Sequence, residues 1–219
     1  MTFILNLDTS TKNCSISIAK SGISLISIEE HSDKYLHSEK LHTFIQYAIK
    51  IAKIDIKNLK SICINQGPGS YTSLRIGMSA AKGLCCSLGI PLLSLDSLTI
   101  LCQQVNLKEG LLIPMIHAKS DLFYTSLYSH LKKRLSPIFI KKFNKDFLKS
   151  IVKGKKLHYI FGDIDSFITN KKNEKLFVMD NLRFIPHVYP SSMDMSLLSY
   201  KRYCNKKFSK IEKVTPFYY

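Results

Sequence analysis

Two short stretches carry residue types that handle phosphate. Asp8, Thr9, Ser10 and Thr11 follow a strand-like apolar run, and a carboxylate followed by hydroxyls at a strand turn can position a phosphate or its cation. Gly67, Pro68, Gly69 and Ser70 follow a second run, Ser61-Ile62-Cys63-Ile64-Asn65, and lead into a helix. Glycines at 67 and 69 permit positive backbone angles and the close approach of a ligand or a second backbone, while Pro68 stiffens the turn. Free amides at the helix start, capped by Thr72 or Ser73, would form an anion site. A tight strand-to-helix turn without ligand has the same residues, just as Asp8 and Ser10 fit an Asx-type turn, so both readings stay open. The first turn has no glycine, which argues against autonomous nucleotide hydrolysis.

The helix after the second turn must hold it in place. From 73 to 88 its only charges are Arg75 and Lys82, seven apart and so on one stripe, with Gly77, Ser79, Ala80, Ala81, Gly83, Cys85 and Cys86 keeping the rest small. That pattern predicts burial on several sides, between its own sheet and a second helix or a partner protein. A second helix over 37–54 places Leu41, Phe44, Ile45, Tyr47, Ala48, Ile49, Ile51 and Ala52 over an arc of about 200°, wider than the roughly 100° stripe one sheet requires. The surplus predicts two contacts. The outer one is either the small-residue helix of the same domain or another molecule.

With 219 residues the chain can bury a core without disulfides or metals. Cys14, Cys63, Cys85, Cys86, Cys102 and Cys204 form no C-x-x-C pair, and most lie in apolar runs as small hydrophobes. No apolar run approaches the ~20 residues of a membrane span, and residues 1–7 read as a first strand rather than a signal peptide, so a cytoplasmic protein is expected. The net charge of +16 is uneven: residues 1–110 hold 11 basic and 8 acidic side chains, residues 111–219 hold 21 and 8. Lysine supplies 28 of the 32 basic residues, a bias that a drift in the source genome's nucleotide composition would also produce. The clusters Lys132-Lys133-Arg134, Lys141-Lys142, Lys155-Lys156, Lys171-Lys172 and Lys206-Lys207 are therefore read either as an RNA-facing surface or as solvated lysines.

Strands are predicted at 3–7, 14–19 and 23–28, the second alternating Ile16 and Ile18 with Ser15 and Ser17. Helix, strand, helix and a short strand at 92–95 follow, an order that fits an α/β fold with a mixed sheet and helices on its faces. After Lys108-Glu109-Gly110 come strand-like runs at 111–117 and 122–128, a basic and less regular region, and late strands at 157–161 and 175–178. The expected domains are 1–108 and a smaller one at 109–219, whose last helix can pack back on the first.

The combination Leu7-Asp8-Thr9-Ser10-Thr11, Cys14-Ser15-Ile16, His37-Ser38-Glu39-Lys40-Leu41 and Gly67-Pro68-Gly69-Ser70-Tyr71-Thr72-Ser73-Leu74-Arg75-Ile76-Gly77 resembles the TsaB (YeaZ) family of tRNA threonylcarbamoyladenosine biosynthesis. Leu95-Asp96-Ser97-Leu98, Pro114 to Lys119 with Phe123-Tyr124, Tyr189-Pro190-Ser191-Ser192 with Met195 and Leu198, and Thr215-Pro216-Phe217-Tyr218 continue the likeness. It is dense to about residue 102 and sparse from 129 to 185. His117 and Lys119 depart from the family's acidic and arginine residues, and Ser73 stands where glycine is common.

The resemblance implies an actin-like ATPase (ribonuclease H-like) fold of two subdomains and a non-catalytic role. By that likeness the chain pairs with a larger TsaD-type catalytic subunit, and with a TsaE-type ATPase completes a complex. The complex places a threonylcarbamoyl group on N6 of adenosine 37 in tRNAs reading codons that begin with A. The implied partner surface comprises Leu41, Phe44, Ile45, Ala48, Ile49, Ala52, Arg75, Met78, Ala81 and Lys82, and serves a homodimer when the chain is alone. Asp8, Thr9, Ser10, Gly67, Gly69 and Ser70 would be vestigial phosphate loops. ATP and metal would belong to the partners, whose metal site is an H-x-x-x-H helix in which two imidazoles one turn apart meet one ion. Here His37 is followed four residues on by Leu41, His42 by Gln46 and His31 by Tyr35. An autonomous phosphotransferase and, further off, a metallopeptidase are the alternatives, which nucleotide-binding and metal analyses of the isolated chain would detect.

Overall fold

The computed structural model describes residues 1–32, 34, 36–152, 154, 156–165, 179–186 and 188–218. The strand read at 175–178, Tyr35, Lys155 and the pair Lys171-Lys172 lie outside the described residues. The chain divides into two compact units, Met1–Ile100 with Pro190–Tyr219, and Leu101–Tyr189. This differs from a single cut at residue 109. The last 30 residues rejoin the first unit because Met195, Leu198, Tyr200 and Tyr203 pack on its Ile4, Cys63, Leu93 and Leu95.

The first unit is built on a five-stranded sheet in the order β3(Ile23–His31), β2(Asn13–Lys20), β1(Phe3–Asp8), β4(Leu59–Asn65), β5(Leu92–Leu95). Strands β1, β2 and β3 form an antiparallel meander, and β4 and β5 join β1 in parallel. The period-two rule assigns the two faces. Leu5, Leu7, Ile16, Ile18, Ile62 and Ile64 meet α1(His37–Ile51) and α2(Tyr71–Leu88), whereas Ile4 and Cys63 meet α3(Ser97–Gln104) and the final helix over Ser196–Cys204. Alternation alone would leave Ser15 and Ser17 facing water. Instead they are fully buried, Ser15 Oγ 2.8 Å from Ser192 Oγ and Ser17 Oγ donating to the Ser192 carbonyl at 2.8 Å.

The second unit has a sheet in the order β11(Leu182–Ile185), β10(His158–Gly162), β6(Leu111–Lys119), β7(Leu122–Thr125), β9(Phe139–Lys142), with β8(Tyr128–Ser129) paired to β6. The run read as one strand over 122–128 is thus two strands. Helix α4(Lys145–Ile151), capped by Asn144 accepting from the Phe147 amide at 2.8 Å, packs Phe147 and Leu148 on Ile113, Met115, Phe123 and Phe143. Helix α5(Ser196–Cys204) follows a short 3-10 turn at Ser192–Met195.

Candidate functional site

The turn after β1 and the turn after β4 meet each other. Asp8 Oδ1 accepts from the Ser10 amide at 2.9 Å and the Ser10 hydroxyl at 2.8 Å, while Asp8 Oδ2 accepts from Asn65 Nδ2 at 2.9 Å. Asn65 Oδ1 in turn accepts from the Gly67 amide and the Ser97 hydroxyl, each at 2.9 Å. The Ser70 amide at the start of α2 donates to the Ser10 carbonyl at 2.7 Å, and Thr9 Oγ1 donates to the Ser73 carbonyl at 2.8 Å. A Cβ on Gly69 would collide with the Ser10 carbonyl oxygen, and one on Gly77 with Thr9 Oγ1. Glycine at 69 therefore admits a second backbone, the ligand-free alternative left open by the sequence. The cap expected from Thr72 or Ser73 is absent: Ser70 is the N-cap residue, without a side-chain cap bond.

Asp8, Thr9 and Ser10 are fully buried. Burial raises the Asp8 carboxyl above its ordinary range, with Glu29 adding repulsion, against hydrogen bonds from Ser10 and Asn65 that favour the charge. Burial likewise pushes the Cys14 and Cys85 thiols up to about 12, so neither is a ready nucleophile. His37 is buried at the start of α1, and desolvation lowers its ring below the usual histidine value against bonds with the Asn13 and Thr11 backbone. Among the described residues, no three His, Cys, Asp or Glu side chains are grouped as a metal site requires.

The helical residues expected at a partner surface separate into two sets. Leu41, Phe44, Ile45, Ala48, Met78 and Ala81 are buried in the chain's own core, where α1 and α2 pack on the sheet and on each other. Ile49 and Ala52 are half-buried against the same core, Lys82 is half-buried, and Arg75 is exposed. In the isolated chain Leu41, Ala48 and Ala81 are fully buried and Phe44, Ile45 and Met78 are at most 8% exposed, so these six present little surface outward. The apolar residues that do face outward on α1 are Tyr47, 54% exposed, and Ile51, 56% exposed.

Helix α2 is buried on the sides that meet the sheet and α1 and has an open side as well. Its outward positions include Thr72, Arg75, Ser79, Gly83 and Cys86, and they recur at helical spacing. With His42 of α1, an open groove of about 710 Å³ is lined by Tyr71, Thr72, Arg75, Ile76, Ser79, Ala80, Gly83 and Leu84. Among the described residues nothing lies within 4 Å of the Cβ that Gly83 lacks, so none of them needs a glycine there for packing. The outward-facing Tyr47, Ile51, Ser79 and Gly83, which the sequence placed in the apolar arc or among the small residues but not in the expected partner surface, sit at the edge of that arc or on the small-residue stripe.

In the second unit several clustered cations are engaged locally. Lys132 Nζ donates to the Gln103 carbonyl and to Asn106 Oδ1, each at 2.8 Å, and Arg134 Nε donates to Tyr128 Oη at 2.9 Å. Lys142 pairs with Asp121 at 2.7 Å. His117 Nε2 lies 2.7 Å from the Ser120 carbonyl and its ring stands edge-on to Phe123.

A meander extended by two parallel strands in the order 3-2-1-4-5, flanked by helices, and a second mixed sheet define a protein of the actin-like ATPase (ribonuclease H-like) fold. YeaZ from Pseudomonas aeruginosa has this fold throughout, with a TM-score of 0.81 at 21% identity over 100% of both chains. The family model described as "TsaD: tRNA N6-adenosine threonylcarbamoyltransferase" matches residues 26–184. Two proteins named "tRNA threonylcarbamoyladenosine biosynthesis protein TsaB" are similar in sequence. That of Buchnera aphidicola subsp. Schizaphis graminum is 32% identical over 57% of this chain and 60% of its own length. That of Buchnera aphidicola subsp. Acyrthosiphon pisum is 30% identical over 69% of this chain and 68% of its own length. The chain belongs to the TsaB family, and the match spans about 60% to 68% of these two relatives.

Proposed function

We propose that this chain is a non-catalytic subunit of the cytoplasmic complex that adds a threonylcarbamoyl group to N6 of adenosine 37 in tRNAs reading codons that begin with A. It pairs with a TsaD-type catalytic subunit and works with a TsaE-type ATPase, and those partners hold the ATP and the metal. The observation that carries this reading is membership of the TsaB family. The outward face of α2 supports the pairing, because side chains as small as Ser79 and Gly83 let a partner helix approach closely, as Gly at a helix contact does elsewhere. A second copy would use the same face when the chain is alone. The closing of the Asp8 and Gly67 turns on one another supports a non-catalytic role, since Ser70 N and the Asp8 carboxylate, groups a phosphate and its cation would use, are bonded within the chain. Any contact with tRNA from the second unit falls to lysines outside the local bonds described above, such as Lys133 and Lys141.

Reconstitution tests the reading. With TsaD-type and TsaE-type homologues from the same source, ATP and a supply of threonylcarbamoyl-adenylate, modified adenosine is expected only when this chain is added. Equal modification without it would overturn the reading. ATP turnover by the chain alone would favour the phosphotransferase, and stoichiometric metal with peptide hydrolysis the metallopeptidase.

A further inference from the structure

Residues 209–218 run to the mouth of the α2 groove. The Ser209 amide donates to the Leu92 carbonyl at 2.8 Å, laying this segment along the open edge of β5, and Ile211 and Val214 pack on the first core. The Phe217 amide then donates to the Gln66 carbonyl at 2.6 Å, and Gly67 lacks the Cβ that would strike the Phe217 carbonyl oxygen. That anchorage delivers Tyr218 to the first turn of α2. Its ring centroid lies 4.5 Å from that of Tyr71, and its hydroxyl accepts from Arg75 Nη2 at 3.0 Å. The Arg75 guanidinium carbon stands 3.9 Å from the Tyr71 ring centroid and 5.9 Å from that of Tyr218.

Arg75 and Tyr71 both line the groove, and among the described residues Arg75 has no carboxylate partner. A planar cation held on aromatic faces with donors still free is prepared for bidentate contact with a carboxylate. Free arginine side chains lose much rotamer freedom on binding, and one already fixed by two tyrosines loses less. Arginine and tyrosine are also the residue types enriched at the energetic centres of interfaces.

We propose that the C-terminal segment is a working part of the docking surface: Tyr218 and Tyr71 hold Arg75 at the groove mouth to receive an Asp or Glu side chain from the partner helix that crosses Ser79 and Gly83. The inference rests on the pairing proposed above. Its occupant is a protein helix bearing an acidic side chain, chosen by the unpaired cation beside an apolar floor.

The test is the dissociation constant of the full chain with its TsaD-type homologue, alongside each variant's melting temperature. Tyr218→Ala and Arg75→Ala each weaken pairing about tenfold or more, the double variant weakens it no further than Arg75→Ala alone, and melting is unchanged. Tyr218→Phe, which keeps the ring and loses the hydroxyl, falls between wild type and Tyr218→Ala. Raised salt weakens the wild type more than Arg75→Ala. Wild-type affinity in Tyr218→Ala, with pairing abolished in Gly83→Trp, would overturn the role of the tail while leaving the groove as the docking site. Wild-type affinity in Gly83→Trp would overturn the pairing at this face altogether. Strictly additive losses in the double variant would overturn the positioning of Arg75 by Tyr218.

Discussion

Asp8 sits where burial and hydrogen bonding oppose each other, and its pH response follows. Its folded value is raised above the unfolded one by desolvation. The native state therefore holds the proton more tightly, and the stability from this group is fully present below about pH 4 and is lost as pH rises through the folded value. Asp8→Asn removes that slope. It also turns an acceptor of the Asn65 amide into a donor, so it costs about 1–3 kcal/mol at low pH, where the carboxyl is protonated in either state. Chemical denaturation between pH 3 and 8 reads both effects. Gly69→Ala drives a methyl into the Ser10 carbonyl oxygen and is expected to lower stability by about 1–3 kcal/mol in the same assay. The sequence made both turns visible through residue type, but not that they close on each other, because a glycine that admits a ligand and one that admits a backbone are written the same way.

Helices α1 and α2 were legible as elements, and their inward stripes as core, from spacing alone. Which edge of the arc on α1 faces out was not, because an arc of about 200° is the same whether its outer part meets a neighbouring helix or a partner. The structure resolves it by burial: Leu41, Ile45 and Ala48 lie in the core that α1 and α2 share with the sheet, and Tyr47 and Ile51 are left open. Ile45→Glu or Ala48→Glu is accordingly expected to unfold the chain, an unpaired buried charge costing several kcal/mol, rather than to abolish pairing selectively. Circular dichroism melting checks this. Gly83→Ala gives the opposite result: a helix-interior glycine with open space at its Cβ gains up to about 1 kcal/mol as alanine, raising the melting temperature of the isolated chain by roughly 2–4 °C.

Across the whole chain, the charge excess of residues 111–219 was plain in composition, but its meaning depended on pairing that composition does not carry. Lys132, Arg134 and Lys142 turn out to hold their own loops and strands in place. The return of residues 190–219 to the first unit was equally hidden, since Ser191 and Ser192 find Ser15 and Ser17 across more than 170 positions of sequence. The family-like motifs of the two turns and the start of α2 lie where Gly69 and Gly77 admit no side chain, against the Ser10 carbonyl oxygen and Thr9 Oγ1. The most direct test of the account is light scattering on size-exclusion fractions of this chain mixed with its TsaD-type homologue, wild type beside Gly83→Trp. A heterodimer formed by the wild type and absent for a folded Gly83→Trp is the predicted result. No heterodimer from two folded wild-type proteins, or equal assembly by both variants, would contradict it.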